Sequence, residues 1–499
     1  MRYHSFTKLA SIFVVCLLTF TSSIFASDAE LMTLVQNMQK QMNEMQTTVM
    51  AQKAELQALK AGGGGKIQMA PSGVEATPPM SEAEFAQRLS DSTGGANKWL
   101  KDLKFSGDVR LRYEAFHLNG NTAATTSEPN RNRFRFRLRY GFEKKFNDEM
   151  KIGFSMASGE RLGANGYNTD PVSTNQSLNN NFNFKNIWIE KAYATYTPEW
   201  AKVGISDDLK VEGLEITAGK FNNPFERGST DMIWDRDLKP EGLYEKIDAK
   251  LLDTENFDLK SYLTAGQFVL KESGTTGTKD ANLFAYQAGL NPVFYVPGLE
   301  RPVDALSALS IYQYQNYANT SNWYIDGVSQ ANGNPSYDAN TLSARNFNIL
   351  SFYQELNFYP YGIPVKPFAE FARNMSNQSG LPLASPGNSM QGGADAWSLG
   401  LTLGKLVKKG DWQGSYQYKY IGANSVVGAF NDSDFGGYNY GGTDKAGSVI
   451  KVGYNLTDYL TLNGACYLVR PITQRDSTVN GMQVDQSVRR FQIDMTYKF

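Results

Sequence analysis

Five arginines occupy every second position of one short stretch: Arg131, Arg133, Arg135, Arg137 and Arg139. The residues between them are mostly apolar, namely Asn132, Phe134, Phe136 and Leu138. Side chains of a β-strand alternate between two faces, so a strand here has one guanidinium face and one largely apolar face. The guanidinium face needs water and anions, whereas the other face needs an apolar environment. The wall of a water-filled barrel in a lipid bilayer supplies both.

Further arginines extend this predicted cationic wall. Arg110 and Arg112 alternate with apolar residues in the preceding strand, and Arg490 lies in the last strand, which neighbours the first in a closed barrel. An arginine facing lipid at the bilayer centre costs about 2–4 kcal/mol, so the wall should face the lumen. We expect it to concentrate anions, as charged rings do in selective pores. The alternative is that the arginines only keep the lumen hydrated or pair with lumen carboxylates.

A second set of candidate residues lies in the connection 221–240. This connection combines the apolar residues Phe225 and Ile233 with five residues that could narrow a pore: Glu226, Asp231, Trp234, Asp235 and Asp237. Large apolar side chains favour packing against the protein over exposure to water. Folding into the barrel would shelter them and set the acids opposite the arginines, where opposed charges create a transverse field. The alternative is a loop that packs over the barrel rim or against a neighbouring subunit.

The sequence offers little support for catalysis. Its two histidines are His4 and His117, so after loss of a signal peptide any histidine-dependent site would have to use His117. Asp432 and Asp434 could bind calcium, but the stretch lacks the closing Glu of a calcium loop, which favours a plain polar loop. We therefore expect no enzyme activity, no metal and no cofactor. The formal net charge of −1 gives no reason to expect a nucleic-acid partner.

From residue 105 onward, period-two stretches are separated by turn residues, and short connections alternate with long ones. This alternation is typical of transmembrane barrels. The predicted fold class is all-β: a transmembrane antiparallel β-barrel of about 16 strands spanning 105–499. The predicted strands are 105–116, 131–143, 150–158, 186–197, 210–220, 241–252, 257–269, 280–294, 306–317, 346–358, 365–374, 395–406, 411–421, 445–456, 459–470 and 487–499.

The sequence before the barrel predicts three different segments. Residues 1–26 have the basic start and apolar core of a signal peptide. Residues 27–60 predict an α-helical coiled coil in the periplasm, with a single surface helix as the alternative, and 61–104 predict a flexible linker with short helices. The predicted coiled-coil core, with its spacings of four and three, is Leu31, Val35, Met38, Met42, Met45, Val49, Leu56 and Leu59.

Four stretches resemble the Putative porin family of Gram-negative outer membranes: GDVRLRYE at 107–114, the alternating arginines at 131–139, GKFNNPF at 219–225 and WDRDLKPEG at 234–242. We call the alternating arginines at 131–139 the arginine ladder, or simply the ladder. The resemblance implies a homotrimer of roughly sixteen-stranded diffusion pores in outer-membrane lipid, each with an inward-folded third long loop. The terminal Phe499 resembles the C-terminal signature that the barrel assembly machinery reads. Several porins also carry an N-terminal periplasmic coiled coil. The lysine-rich signature of phosphate-selective porins is not evident, so phosphate is not implied.

These observations predict an outer-membrane channel for passive diffusion of small hydrophilic solutes, leaning toward anions. The coiled coil would hold three barrels together on the periplasmic side and could bind peptidoglycan. One alternative is an envelope tether, in which the barrel is an anchor and the coiled coil binds the cell wall. Two others are an outer-membrane enzyme and a barrel around an electron conduit. The lack of usable histidines argues against the enzyme, and sixteen strands are too few for the conduit.

Overall fold

A computed structural model shows the chain from residue 102 onward as a closed antiparallel barrel. The structure describes residues 102–119, 131–160, 172–179, 181–206, 209–272, 279–317, 324–325, 328–329, 334, 347–376, 393–436, 442–472, 478–479, 482–483 and 487–499. The predicted signal peptide, the predicted coiled coil and nearly all of the predicted linker lie outside these residues. They remain predictions.

Sixteen long strands form the wall, and each end lies within three residues of its predicted position. The count of sixteen and the all-β fold are therefore confirmed. The strands are β1 Leu103–Asn119, β2 Arg131–Lys145, β3 Met150–Ser158, β4 Ile187–Tyr196, β5 Lys210–Lys220, β6 Glu241–Asp253, β7 Phe257–Lys271, β8 Ala281–Phe294, β9 Val303–Gln315, β10 Phe347–Asn357, β11 Val365–Asn374, β12 Asp395–Gly404, β13 Trp412–Ile421, β14 Lys445–Asn455, β15 Leu460–Pro471 and β16 Ser487–Lys498.

The barrel closes where β1 pairs with β16, from Asp108 opposite Lys498 to Asn119 opposite Ser487. The last residue takes part in the closure, because the backbone N–H of Gly107 donates to the Phe499 carbonyl at 2.8 Å and Phe499 donates back at 3.1 Å. A Cβ on Gly107 would lie 2.6 Å from the Phe499 ring, so this contact requires glycine. Closure satisfies the backbone groups of both edge strands, which lipid cannot do.

Side chains alternate between a mostly apolar outer face and an inner face with many polar groups. On the outer face, Phe134, Leu263 and Leu399 are each more than half exposed. On the inner face, Ser310 and Ser398 are buried although their neighbours in sequence are exposed. This pattern is opposite to that of a soluble protein and matches a barrel surrounded by lipid.

Short and long connections alternate around the barrel, as predicted. The connections 146–149, 254–256 and 456–459 close tight turns at one rim, whereas 221–240 and 422–444 are long. No helix within the described ranges is long and apolar enough to cross a membrane. The minor elements are the 3₁₀ turns Glu199–Ala201, Glu226–Gly228 and Pro360–Gly362 and the two-residue strands Gln176–Ser177, Val203–Gly204, Tyr324–Ile325, Val328–Ser329, Thr478–Val479 and Met482–Gln483.

The main apolar core lies inside the barrel, where two connections pack against the inner faces of the wall strands. Phe225 and Trp234 come from 221–240, and Phe430 comes from 422–436. They join Tyr312 of β9 and Ile349 of β10 in one cluster of buried side chains. We call 221–240 the first inner loop and 422–436 the second inner loop.

Candidate functional site

The arginines of β1 and β2, together with Arg490 of β16, lie on the inner face of the barrel. The register sets Arg110 opposite Arg137 and Arg112 opposite Arg135. Their outward neighbours, such as Leu111 and Phe134, are exposed apolar residues. Antiparallel neighbours share a face, so these strands bring the guanidiniums into one patch. Its members are Arg110, Arg112, Arg131, Arg133, Arg135, Arg137, Arg139 and Arg490.

Carboxylates accompany these guanidiniums closely. Arg112 lies 2.7 Å from Asp494, and Arg137 lies 2.7 Å from Asp108. Ion pairs of 4.0 Å or less join seven arginines, 110, 112, 133, 135, 137, 139 and 490, to the acids Asp108, Glu114, Glu160, Glu190, Asp237, Asp434 and Asp494. Arg131, which ends the ladder opposite Phe116, is not free either. The patch is therefore a network of both signs, not a surface of bare cations.

Glu114 is the centre of this network. Its side chain is fully buried, and it accepts hydrogen bonds from Arg133 Nε at 2.6 Å, Arg490 Nε at 2.7 Å and Gln492 Nε2 at 3.0 Å. These donors come from β2 on one side and β16 on the other. Removing one partner of a buried ion pair leaves an uncompensated charge, which is strongly destabilising. Glu114 therefore ties the closing strands together.

The first inner loop is fixed inside the barrel by aromatic contacts. The ring of Phe225 lies 6.0 Å from Phe268 of β7 and 5.8 Å from Tyr312 of β9, both at steep interplanar angles. The Trp234 ring lies 5.1 Å from Tyr312 and 6.2 Å from Phe430. Such edge-to-face and offset pairs are favourable geometries for aromatic side chains. The loop is thus packed within the barrel.

A buried carboxylate on the wall holds the same loop. Glu370 of β11 accepts hydrogen bonds from Thr230 N at 2.8 Å, Thr230 Oγ1 at 2.6 Å and Ser229 Oγ at 3.0 Å. Ser351 of β10 donates at 2.8 Å. All four donors are neutral groups. The loop is therefore attached to the wall at a defined point between its two aromatic anchors.

The predicted constriction residues separate into different environments. Asp237 lies 2.7 Å from Arg139 of the ladder. Asp231 instead contacts Lys419 of β13 at 2.7 Å, and the Asp235 carboxylate accepts the backbone N–H of Ser433 at 3.1 Å. Glu226 lines the cavity described below, and Trp234 is buried in the aromatic cluster. Of the loop acids, Asp237 is the one with a described ion pair to the arginine ladder.

The second inner loop corrects the prediction of a plain polar loop at Asp432 and Asp434. Val426, Phe430 and Phe435 of this loop are buried. The loop turns inward because these apolar side chains find shelter beside the first inner loop. No group of three or more metal-binding side chains occurs within the described residues. The sequence signal for this packing was the apolar content of 426–435, which the prediction did not use.

The two aspartates of the second inner loop are engaged in ion pairs. Asp432 lies 2.6 Å from Lys419, whose ammonium is fully buried and also contacts Asp231 of the first inner loop. Asp434 lies 2.6 Å from Arg490 and 3.3 Å from Arg112. One lysine therefore joins the two loops. Asp434 joins the second loop to the arginine patch.

A third connection reaches the ladder from the long segment after β3. Asn175 accepts a hydrogen bond from Arg110 and offers its backbone carbonyl to Arg135 at 3.2 Å. Thr174 accepts from Arg139 at 3.0 Å. The two-residue strand Gln176–Ser177 pairs with β2 beside these contacts. Three separate connections therefore converge on the arginine patch.

Burial and nearby charges shift the pKa values of the loop aspartates, and the direction differs from one aspartate to another. Burial alone would raise the pKa of Asp237, but Arg139 and Arg137 outweigh it and hold that pKa below its usual range. The same balance lowers the pKa of Asp434 through Arg490 and Arg112, and that of Asp231 through Lys419. Burial and the nearby Asp237 and Asp432 raise the pKa of Asp235. Three of these carboxylates are therefore stabilised as anions.

A cavity of about 1010 Å³ lies between the inner loops and the wall. Arg110, Arg137 and Arg139 line one side of the cavity, and Glu355 and Lys366 line another. Polar side chains such as Gln413, Asn463 and Thr496 line the wall between them. A cavity of this size and polarity suits water, ions and small hydrophilic solutes.

The Putative porin family matches residues 117–343 and 326–499, which together make up most of the chain. The chain belongs to this family of porins. It is therefore an outer-membrane barrel protein with a porin channel, as the sequence predicted. The sequence matches none of the curated proteins.

Several solved porin structures are similar to this porin at low identity. OprB of Pseudomonas putida at high pH is 12% identical, with a TM-score of 0.42 over 82% of this chain and 97% of that chain. OmpF of Salmonella typhi with daunomycin is 10% identical, with a TM-score of 0.41 over 80% and 97%. An anion-selective porin from Comamonas acidovorans is 11% identical, with a TM-score of 0.37 over 80% and 99%.

Proposed function

We propose that this porin is a water-filled channel for passive diffusion of small hydrophilic solutes. The observation that carries the proposal is the polar cavity of about 1010 Å³ inside the closed barrel. The inner loops narrow the lumen without removing this space. Charged and amide side chains of the lining can replace part of the hydration of a solute inside it.

The proposed preference for anions is weak. Arginines on β1, β2 and β16 favour anions near one wall, as charged rings do in selective pores. However, seven of them share ion pairs with seven carboxylates, so the formal charges of that network cancel. Lys366 and Lys451 also line the cavity, but they pair with Glu355 and Asp231. The remaining lean toward anions would come from other cations that face the cavity, such as Arg236 and Lys498.

The assembly that we propose is a homotrimer in outer-membrane lipid. Residues 27–60 would form its periplasmic coiled coil, with peptidoglycan as a candidate partner, and Phe499 would be read by the barrel assembly machinery. Deleting 28–60 separates this proposal from an envelope tether. A porin without these residues keeps its conductance per barrel, whereas a tether loses envelope attachment as its main defect.

Planar-bilayer recordings in a KCl gradient test the channel and its selectivity. We expect stepwise conductance and a small reversal potential on the anion side. Replacing Arg133, Arg135 and Arg137 together by Ala should move the reversal potential to the cation side, because Glu114 and Asp108 lose partners. The matched control replaces the exposed Lys202, Lys210 and Arg373 by Ala. Cation preference in the parent would refute the anion lean, and absence of conductance would refute the channel.

A further inference from the structure

The charge balance of the seven ion-paired arginines of the patch depends on residues outside the wall strands. Four acids of the network lie on strands: Asp108, Glu114, Glu190 and Asp494. Three lie on connections: Glu160 after β3, Asp237 on the first inner loop and Asp434 on the second. Seven arginines against four strand acids leave an excess of three positive charges. The connections supply the three negative charges that cancel it.

Two of these connection residues, Asp237 and Asp434, each contact two arginines, and Asp434 does so across the closing seam of the barrel. Its carboxylate lies 2.6 Å from Arg490 Nη2 and 3.3 Å from Arg112 Nη1, so it bridges β16 and β1. It lines the cavity together with Arg110, Arg112 and Gln492. Its side chain keeps about a fifth of its surface exposed, so its charge is close to the solute path.

The second inner loop holds Asp434 firmly at this point. The backbone N–H of Asp434 donates to Asp432 Oδ1 at 2.9 Å, and Asp432 itself is paired with the buried Lys419. The neighbouring Phe435 is fully buried and lies under the Lys419 ammonium at 4.7 Å. The next residue back, Ser433, accepts from Arg490 through its carbonyl at 3.3 Å. A charge fixed in this way contributes a constant field inside the lumen.

We propose that Asp434 is a residue that determines the ion selectivity of this porin, acting as a loop-borne counter-charge to Arg112 and Arg490. The second inner loop is then part of the selectivity apparatus and not only a structural lining. This inference rests on the proposed channel function. It goes beyond the predicted constriction, which was confined to 221–240.

The test is the variant Asp434→Asn, which keeps the shape of the side chain and removes its charge. A unit charge about 8 Å from a permeating ion in water-like surroundings changes the local anion concentration about twofold. Removing this charge also lowers the local potassium concentration by a similar factor. We therefore expect the chloride-to-potassium permeability ratio to rise about fourfold in a dilute KCl gradient, with a smaller change in concentrated salt because of screening. Single-channel conductance should change little, because the buried phenylalanines still hold the loop.

Two further variants make the test specific. Asp434→Glu keeps the charge and should retain the parental permeability ratio. Asp395→Asn removes the β12 carboxylate of an exposed ion pair with Arg373 of β11 and should also leave the ratio unchanged. The folded state of each variant is checked by its gel mobility without heating. If Asp434→Asn does not fold, Asp237→Asn tests the same counter-charge principle from the first inner loop and should also raise the ratio.

The outcomes separate the two proposals. A parent that conducts, with an unchanged permeability ratio in Asp434→Asn at low salt, overturns the role of Asp434 and leaves the channel intact. An equal shift in Asp395→Asn also overturns it, because the effect is then not local. A parent that does not conduct overturns the channel function itself. The proposal is supported if the permeability ratio rises in Asp434→Asn but not in Asp434→Glu or Asp395→Asn.

Discussion

The first inner loop touches two walls of the barrel through different chemistry. Toward β7 and β9 it uses rings: Phe225 lies against Phe268 and Tyr312, and Trp234 lies against Tyr312. Toward the ladder it uses charge, because Asp237 lies 2.7 Å from Arg139 and 4.0 Å from Arg137. One loop therefore has an apolar side and an ionic side within a few residues.

The two sides of the first inner loop have different roles: one fixes the position of the loop, and the other affects the charge of the pore. Burial of apolar side chains is favourable without any partner of defined charge, so the rings determine where the loop lies. Ion pairs lose hydration when they form in a partly buried site, and their net contribution to stability is small or variable. The field that they create at the cavity is not small. We infer that the apolar side holds the loop in place and the ionic side sets the electrostatics of the lumen.

The largest expected effect comes from removing the central ring of the apolar side. Trp234 is almost completely buried, and replacing a buried tryptophan by alanine costs about 3–5 kcal/mol. In Trp234→Ala we expect a loss of that size in the free energy of unfolding, measured by urea titration in lipid vesicles. Single-channel conductance should rise, because the loop loses its anchor.

Trp200→Ala is the matched control. Trp200 lies on the 3₁₀ turn Glu199–Ala201, and about 71% of its surface is exposed. This substitution should change neither stability nor conductance by a measurable amount. Parental conductance in Trp234→Ala together with parental stability would show that the rings do not hold the loop.

An intermediate effect is expected at Glu370, where the loop is attached by hydrogen bonds. Glu370→Ala removes the carboxylate that accepts from the Thr230 N–H and from the Thr230 and Ser351 hydroxyls. The Ser229 hydroxyl also loses Glu370 but keeps the Thr230 carbonyl as an acceptor at 3.2 Å. Leaving buried donors unsatisfied costs about 1–3 kcal/mol, and we expect a loss of about 2 kcal/mol in the free energy of unfolding. Glu370→Gln keeps one acceptor oxygen and should lose less. Equal losses in the two variants would contradict this account.

The sequence predicted the wall far better than the interior. The ladder at 131–139 shows a period of two, because each strand residue has either lipid or the lumen beside it. The first inner loop was also predictable, since Phe225, Ile233 and Trp234 cannot be left in water at no cost. The local sequence pattern was therefore enough to predict these two features.

The partners of the arginines could not be predicted in the same way. Asp494 faces Arg112 across the closing seam, 382 residues further along the chain, and Asp434 reaches Arg490 from another connection. Such pairs depend on the register and on which loops turn inward, neither of which is set by local periodicity. The sequence therefore left open whether the arginines form a cationic wall or pair with lumen carboxylates, and in the folded chain seven of them are paired.

The smallest expected effect is the acid dependence of stability. The pKa values of Asp231, Asp237 and Asp434 are lower in the folded protein than in the unfolded chain. Each therefore contributes stability that is complete above the unfolded pKa near 3.9 and is lost as the pH falls toward the folded pKa. Asp235 has the opposite sign, because its raised pKa makes its ionisation destabilising at neutral pH. Protonation of Asp235 in acid offsets part of the loss.

Urea titrations at pH values from about 7 down to about 3 measure this balance, since the unfolded carboxyls titrate near the lower end. We expect the free energy of unfolding to rise as the pH falls from about 7 toward about 4, because Asp235 binds its proton in the folded protein before it does so in the unfolded chain. Below about pH 4 we expect a decline, because the depressed aspartates lose their contribution there. Asp237→Asn should flatten the decline, whereas Asp395→Asn on the exposed β12 pair should not. A decline as steep in Asp237→Asn as in the parent would show that its ion pair with Arg139 adds nothing to stability. The ionic side of the loop would then affect only the electric field in the lumen, and the aromatic side alone would contribute to stability.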